Sequence, residues 1–269
     1  MDNNVLKLPK FFRPLHKTNL VRIGKDNDGG YLIGEESINN TKILQSFGVN
    51  DDWSFEEDFF NRTNAQIYCY DPTVNWKFWV KRLLRDLKNI LLLRKKNLKE
   101  LSDIFIYFKY LKFFNNSKKV HLKKFISPIG IELPNLNQND IIDINTLVTN
   151  QNNKNIFFKI DIEGSEYRIL DQLIKHHNCM TGLVIEFHNC DLHYELIHNF
   201  IKNFDLQLVH LHVNNWGLIN ENRFPSSLEI TFSPKDFNTT LDDQKFSLPI
   251  SLDQPCNPLI KDCLIEFLD

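Results

Sequence analysis

Two carboxylates at the end of an apolar run are the most chemically pointed feature of this chain. Ile156-Phe157-Phe158-Lys159-Ile160-Asp161-Ile162-Glu163-Gly164-Ser165-Glu166-Tyr167 is β-prone, ends in Asp161 and Glu163, and breaks at Gly164. A helical pattern follows at once through Tyr167, Leu170, Leu173 and Ile174. A buried parallel strand reads this way when it delivers acids to the rim of an α/β sheet and passes into the next helix. Ligands in open α/β sheets bind at that rim. Acids there suit a ligand with hydroxyls or positive charge. A second run, Thr181-Gly182-Leu183-Val184-Ile185-Glu186-Phe187-His188, ends in a histidine. An imidazole with its ordinary pKa of about 6.5 can take a proton near neutral pH, which makes His188 the preferred general base beside Asp161 and Glu163. His210, His212 and Asn214 are weaker strand-end candidates. The spacing defines no metal set; a divalent ion on Asp161 and His188 is an alternative that it does not diagnose.

The elements that must position these residues alternate along the chain. Strands are predicted at 43–49, 66–71, 119–126, 156–161, 181–188, 206–212 and 227–232, and helices at 165–176 and 191–203. A helix starting at Ser54 has Glu57 three residues on, the spacing of a capping box. Strands alternating with helices imply a parallel doubly wound sheet. The last strand follows its predecessor without a helix, so it should run antiparallel. Gly48, Gly130 and Gly164 each follow a strand-like run, and Gly29, Gly30 and Gly34 cluster in Asp26-Asn27-Asp28-Gly29-Gly30-Tyr31-Leu32-Ile33-Gly34. Strand alternation places Lys159 with Asp161 and Glu186 with His188. A buried Lys159–Glu186 ion pair is therefore expected to support the site.

The bounds are broad. With 269 residues, the chain is read as one domain, 1–269. No apolar run reaches the ~18 residues of a membrane-spanning helix, and Met1-Asp2-Asn3-Asn4 does not open like a signal peptide. Five cysteines form no CxxC pair, which together with the above reads as a reduced, cytoplasmic protein. A net charge of −2 argues against nucleic acid as partner. Residues 75–119 differ from the rest: they hold 13 Lys and Arg against three acids, a net +10 that leaves −12 elsewhere. Apolar residues at Trp76, Trp79, Val80, Leu83, Leu87, Ile90 and Leu91 have helical spacing. A helical basic insertion is expected. It is a solvated cap, or a dock for an anionic substrate, a lipid surface or a second subunit; Phe105 and its apolar neighbours suit a homodimer contact.

Lys159-Ile160-Asp161-Ile162-Glu163-Gly164-Ser165-Glu166 resembles the KIDVEGAE-type signature of the FkbM-like methyltransferases. Ile43-Leu44-Gln45-Ser46-Phe47-Gly48-Val49-Asn50 is placed like that family's first strand and glycine loop, although it departs from the usual GxGxG-like form. Ile67-Tyr68-Cys69-Tyr70-Asp71-Pro72 is placed like its second strand. The resemblance implies a Rossmann-like class I methyltransferase fold, α/β with a seven-stranded, mostly parallel sheet of order 3-2-1-4-5-7-6, and S-adenosylmethionine as cofactor. It implies that Asp71, followed by Pro72, binds the ribose hydroxyls, as an acid does in dinucleotide sites. The Gly48 loop receives the cofactor's carboxylate on backbone N–H groups. Asn50, Asp51 and Asp52 take its ammonium or cap the turn, Gly130 lies near the adenine, and Gly30 and Tyr31 close over the cofactor. Asp161 binds the sulfonium side or orients the base. Relatives often methylate sugar or polyketide hydroxyls, so the acceptor expected is a hydroxyl of a sugar, glycan precursor or other small molecule. Alternatives are an anionic phosphate or phosphoramidate acceptor, a nicotinamide oxidoreductase and a non-catalytic binding domain. The oxidoreductase lacks an intact GxGxxG after the first strand.

Overall fold

The computed structural model describes residues 5–15, 18–91, 102–130, 137–150, 155–234 and 247–268. The lysine-rich stretch holding Lys95 and Lys96 lies outside them. The elements in chain order are β1 (Val5–Pro9), β2 (Leu20–Ile23), β3 (Tyr31–Gly34), α1 (Glu35–Asn39), β4 (Ile43–Phe47), α2 (Ser54–Thr63) and β5 (Gln66–Tyr70). The inserted helices α3 (Trp76–Leu91) and α4 (Ser102–Phe114) follow, then β6 (Lys119–Leu122), β7 (Phe125–Ile126), β8 (Ile141–Ile142), α5 (Ile144–Asn150) and β9 (Ile156–Ile160). The chain continues through α6 (Leu170–Lys175), β10 (Met180–His188), α7 (Tyr194–Asn203), β11 (Gln207–Val213), β12 (Ser227–Ser233) and β13 (Leu264–Leu268).

Seven strands form one sheet in the order β6-β5-β4-β9-β10-β12-β11. Numbered in chain order within that sheet, this is 3-2-1-4-5-7-6. β12 is antiparallel to both its neighbours, and the other pairings are parallel. The sheet divides the apolar interior into two layers, as its alternating side chains require. Ile156, Phe158 and Ile160 of β9 pack with Ile144, Leu173, Ile197 and Phe200 of the helices on one side. Phe157, Leu44 and Ile67 pack with Phe55 and Phe59 of α2, Ile33 of β3 and Trp79 of α3 on the other. Every residue of β9 is buried, which explains its unbroken apolar run.

Local expectations need correction in four places. The predicted strand at 119–126 is two strands; β7 leaves the sheet to pair with β8. The capping box does not form. Asp52 Oδ1 accepts the Ser54 N–H at 3.0 Å, and Ser54 Oγ accepts the Lys25 N–H at 3.2 Å. The helix predicted at 165–176 begins as a tight 3-10 turn, Glu166–Arg168, before α6. Two small ladders, β1–β13 and β2–β3, lie outside the predicted seven strands, as does β8, the partner of β7. None of the described helices is long and apolar enough to cross a membrane.

Candidate active site

β4, β9 and β10 end side by side, and each of the loops leaving them passes through a left-handed residue. These are Asn50 (φ 47), Glu163 (φ 54) and Asn189 (φ 52). All three line one cavity of about 800 Å³. Such backbone is uncommon for residues other than glycine, and it gathers where a site dictates the chain path. Gly48 locks two of the loops together: a Cβ there would lie 1.6 Å from the Asp161 carbonyl oxygen. No side chain is compatible with that approach.

Asp161, Glu186 and His188 converge inside the cavity. Lys159, almost fully buried, donates to the Gly48 carbonyl at 2.8 Å and lies 3.6 Å from Asp161 Oδ2. The expected Lys159–Glu186 pair is thus replaced by a Lys159–Asp161 pair. Glu186 is held instead by Asn214 Nδ2 at 2.8 Å and Ser227 Oγ at 2.9 Å, and the Tyr31 hydroxyl lies 3.3 Å from it. Strand register explains the change, because Lys159 sits opposite Val184 and points its amine along the strand to the loop. Burial, then the Asp161 and Glu229 charges, push Glu186 up to about 8.

His188 does not keep an ordinary imidazole pKa. Its Nδ1 donates to the buried Glu166 Oε1 at 3.1 Å, and its Nε2 faces Glu163 Oε2 at 3.6 Å, Glu186 Oε1 at 3.7 Å and Asp161 Oδ1 at 3.9 Å. Burial works to lower its pKa, but the Glu166 bond and the surrounding carboxylates outweigh it and hold the ring at about 9. Glu166 also accepts the Ile162 and Gly164 N–H groups, so one buried carboxylate shapes the acidic turn and orients the histidine. The E-x-x-E spacing of Glu163 and Glu166 was the available signal for this role.

Of the residues singled out from sequence, Tyr31, Gly48, Asn50, Asp51, Asp161, Glu163 and His188 share the cavity wall. Asp71, Pro72, Gly30 and Gly130 do not. Asp71 lies just behind it, accepting the Asn50 N–H at 2.8 Å and the Thr73 N–H at 2.8 Å, and so ties down the glycine loop. The Pro72 carbonyl accepts Asn75 Nδ2 at 3.2 Å. Gly30 is packed behind the wall, where a Cβ would meet the Lys25 carbonyl at 2.1 Å. Gly130 is an exposed turn, where a Cβ would meet no described residue within 4 Å. Of the weaker strand-end candidates, Asn214 reaches the wall, and His210 and His212 do not; the wall also includes Lys25, Glu56 and Ser227, which the sequence reading did not assign.

The insertion touches the site's frame. Arg82 of α3 pairs with Asp51 at 2.5 Å. Tyr110 of α4 bonds His121 Nδ1 at 2.5 Å, and His121 Nε2 bonds the Asp71 carbonyl at 3.0 Å. Two loops of the candidate site are therefore held from outside the sheet.

A second polar centre lies behind the wall. His212 Nδ1 bonds Glu229 Oε2 at 3.1 Å, and its Nε2 bonds Asp262 Oδ2 at 3.0 Å. Cys256 Sγ donates to Glu229 Oε1 at 3.3 Å. The ligating atoms of His212, Glu229 and Cys256 lie within 4.8 Å of one another, as do those of Asp161, Glu186 and His188.

No protein-family model matches the chain, and no curated protein matches it. Among solved structures it is similar to a proposed RNA methyltransferase from Pyrococcus horikoshii, with a TM-score of 0.37 and 11% identity over 72% of this chain and 75% of that one. It is also similar to M. capricolum TrmK bound to S-adenosyl-homocysteine, with a TM-score of 0.34 and 14% identity over 76% and 66% of the two chains. A precorrin-6y C5,15-methyltransferase from Geobacter metallireducens gives 0.34 and 10% over 74% and 86%. Likenesses this distant carry no argument about activity, which rests on the site itself.

Proposed function

We propose that the chain is an S-adenosylmethionine-dependent methyltransferase that O-methylates a hydroxyl of a sugar, glycan precursor or other small molecule. On this reading residues 1–269 form one methyltransferase domain with the 75–119 helices inserted in it. The observation that carries the reading is the convergence of three left-handed loops on an acidic cavity at the carboxyl edge of the sheet. Seven acidic side chains and two lysines line that cavity. Such a lining suits a ligand with a cationic centre, an ammonium group and hydroxyl donors. Glu56 Oε2, buried on this wall without a hydrogen-bond partner among the described residues, is a polar atom still to be satisfied. The same lining is hostile to a dinucleotide pyrophosphate and to an anionic acceptor. The motif at Lys159–Glu166 is what favours an FkbM-like relative and a saccharide hydroxyl.

The residues fit the cofactor in kind. Asp161 and Glu186 would face its positive centre, the Gly48–Asp52 loop its amino-acid end, and Asp71 would fix that loop from behind. When bound, the cofactor supplies an electrophilic methyl group. The chain aligns the acceptor and takes its proton. Alignment alone can supply several kcal/mol of the barrier. His188 Nε2 is the proton acceptor of this scheme, oriented through Nδ1 by Glu166 in the manner of a base held by a third group. It must first lose its own proton.

Calorimetry with S-adenosylhomocysteine and with NADH tests the cofactor, and a screen of hydroxyl acceptors with methyl-labelled S-adenosylmethionine tests the reaction. Binding of the homocysteine product and transfer of label are expected. Binding of NADH alone would move the chain to the oxidoreductases, and cofactor binding without turnover on any acceptor would make it a binding domain.

A further inference from the structure

α3 is amphipathic in the inverted sense. Its inward face carries Trp79, 8% exposed, with the fully buried Asp86, and Arg82 reaching Asp51. Its outward face carries Trp76, Val80, Leu83, Leu84 and Leu87, spaced along one helical stripe and exposed by 66, 42, 40, 59 and 45%. On a helix facing water, that stripe is normally polar. α4 repeats the arrangement: Phe113 is buried, while Phe105, Phe108 and Leu111 are exposed. The helices pack side by side through Trp79, whose ring lies 5.1 Å from those of both Tyr107 and Tyr110.

Among the described side chains, the exposed charges beside this apolar surface are of one sign. Lys77, Lys81 and Lys88 of α3 and Lys109 and Lys112 of α4 are exposed. The one acid of α3, Asp86, faces inward. An exposed apolar stripe flanked by lysines, with a tryptophan at one end, matches the helices that lie in a membrane interface. Lipids complement both halves, through acyl chains for the leucines and anionic headgroups for the lysines. A second copy does not. A two-fold contact would lay the patch on itself and bring the lysine rows face to face. Nucleic acid would answer the lysines and leave the leucines in water.

We propose that α3 and α4 together form a docking surface for an anionic membrane leaflet. The proposal is independent of the methyltransferase reading, since none of the docking residues lines the cavity. Docking in this way leaves Arg82 free to keep its grip on Asp51.

Cosedimentation of the full chain with vesicles tests it, using phosphatidylcholine alone and phosphatidylcholine with phosphatidylglycerol in equal parts. Binding to the mixed vesicles, weakened by salt, is expected, with little binding to phosphatidylcholine alone. Leu84→Ser with Leu87→Ser, and separately Lys77→Glu with Lys81→Glu, should each reduce vesicle binding about ten-fold or more at an unchanged melting temperature. The lysine pair keeps the test decisive if the leucine pair disturbs folding. Absence of binding to the mixed vesicles overturns the proposal, as does binding that neither pair affects. Light scattering that shows a dimer lost in the leucine variant, without vesicle binding, would assign the face to a second copy instead.

Discussion

His188 and His212 stand on β10 and β11, and both are clasped by buried carboxylates, yet they do different work. His212 is enclosed. Glu229 takes one nitrogen, Asp262 the other, and only 7% of its side chain is exposed. His188 has one nitrogen fixed by Glu166 and the other turned to the cavity, beside a Glu163 side chain that is 85% exposed. The two centres are joined through the sheet, since Glu186 is opposite Glu229 and Glu229 is opposite His212. Residue type is therefore a poor guide to role here. A histidine whose two nitrogens are both satisfied ties the C-terminal segment to the sheet, whereas one with a nitrogen facing space is available for chemistry.

The sharpest way to break this contrast is Glu229→Ala. It leaves His212 and Cys256 without their shared partner in a buried place, and removing one member of a buried pair costs about 3–5 kcal/mol. Chemical denaturation should show that loss, while the folded fraction still binds S-adenosylhomocysteine. If the variant is as stable as the parent, the His212 centre is not a structural tie.

His188→Ala should act on the other axis. Turnover is expected to fall about 10²-fold or more, with cofactor affinity little changed. A variant that unfolds while its surviving fraction keeps the full rate would put His188 in the same class as His212. The pH response separates the two roles further. Burial opposes the charged ring of His188, but its carboxylate partners win and raise its pKa to about 9. A raised folded-state pKa gives stability that is fully present below the unfolded value of about 6.5 and is lost as pH rises through about 9. His212 is raised too, with burial again opposed by Asp262, Cys256 and Glu229, so its contribution is also lost on the alkaline side. The melting temperature should therefore fall from pH 6.5 towards alkaline pH. The fall should be shallower in His188→Ala. The rate should move the other way in the parent, rising towards pH 9 as His188 loses its proton. A rate independent of pH over that interval would remove His188 as the base.

Much of the cavity was legible in the sequence because strands ending in Asp161 and His188 announce their own rim position. Asp71 was legible only as an acid at a strand end. Contacts made by distant segments left less trace. Residues 253–262, which close the His212 centre, come together with β11 only in the folded sheet. β1 and β13 pair parallel across nearly the whole chain, with Val5 opposite Leu264, which no local pattern reports. α3 was legible as a helix but not in its orientation. Periodicity identifies an apolar face and says nothing about what covers it, and here only Trp79 of that face is buried, beside Asp86, while Trp76, Val80, Leu83 and Leu87 face outward.

Asp71 offers the subtlest test of the same contrast. Its oxygens accept the Asn50 and Thr73 N–H groups and the Thr73 hydroxyl. An ionised carboxylate offers roughly four acceptor positions, so it resembles His212 in being mostly consumed by the protein. It also retains capacity for one more donor, as a ligand-binding acid must. Asp71→Asn replaces one oxygen by an NH₂ group that cannot accept, and either the glycine loop or a ribose hydroxyl then loses its partner. Affinity for S-adenosylhomocysteine should fall by about 1–3 kcal/mol, the range for leaving a buried hydrogen-bonding group without its partner. Comparison with homocysteine or methionine fragments lacking the ribose divides the effect. A loss confined to the whole nucleoside ligand means that Asp71 reaches the hydroxyls. An equal loss for the fragment means that it works only by holding Asn50 in place. Unchanged affinity for both, in a folded variant, would remove Asp71 from the cofactor site altogether.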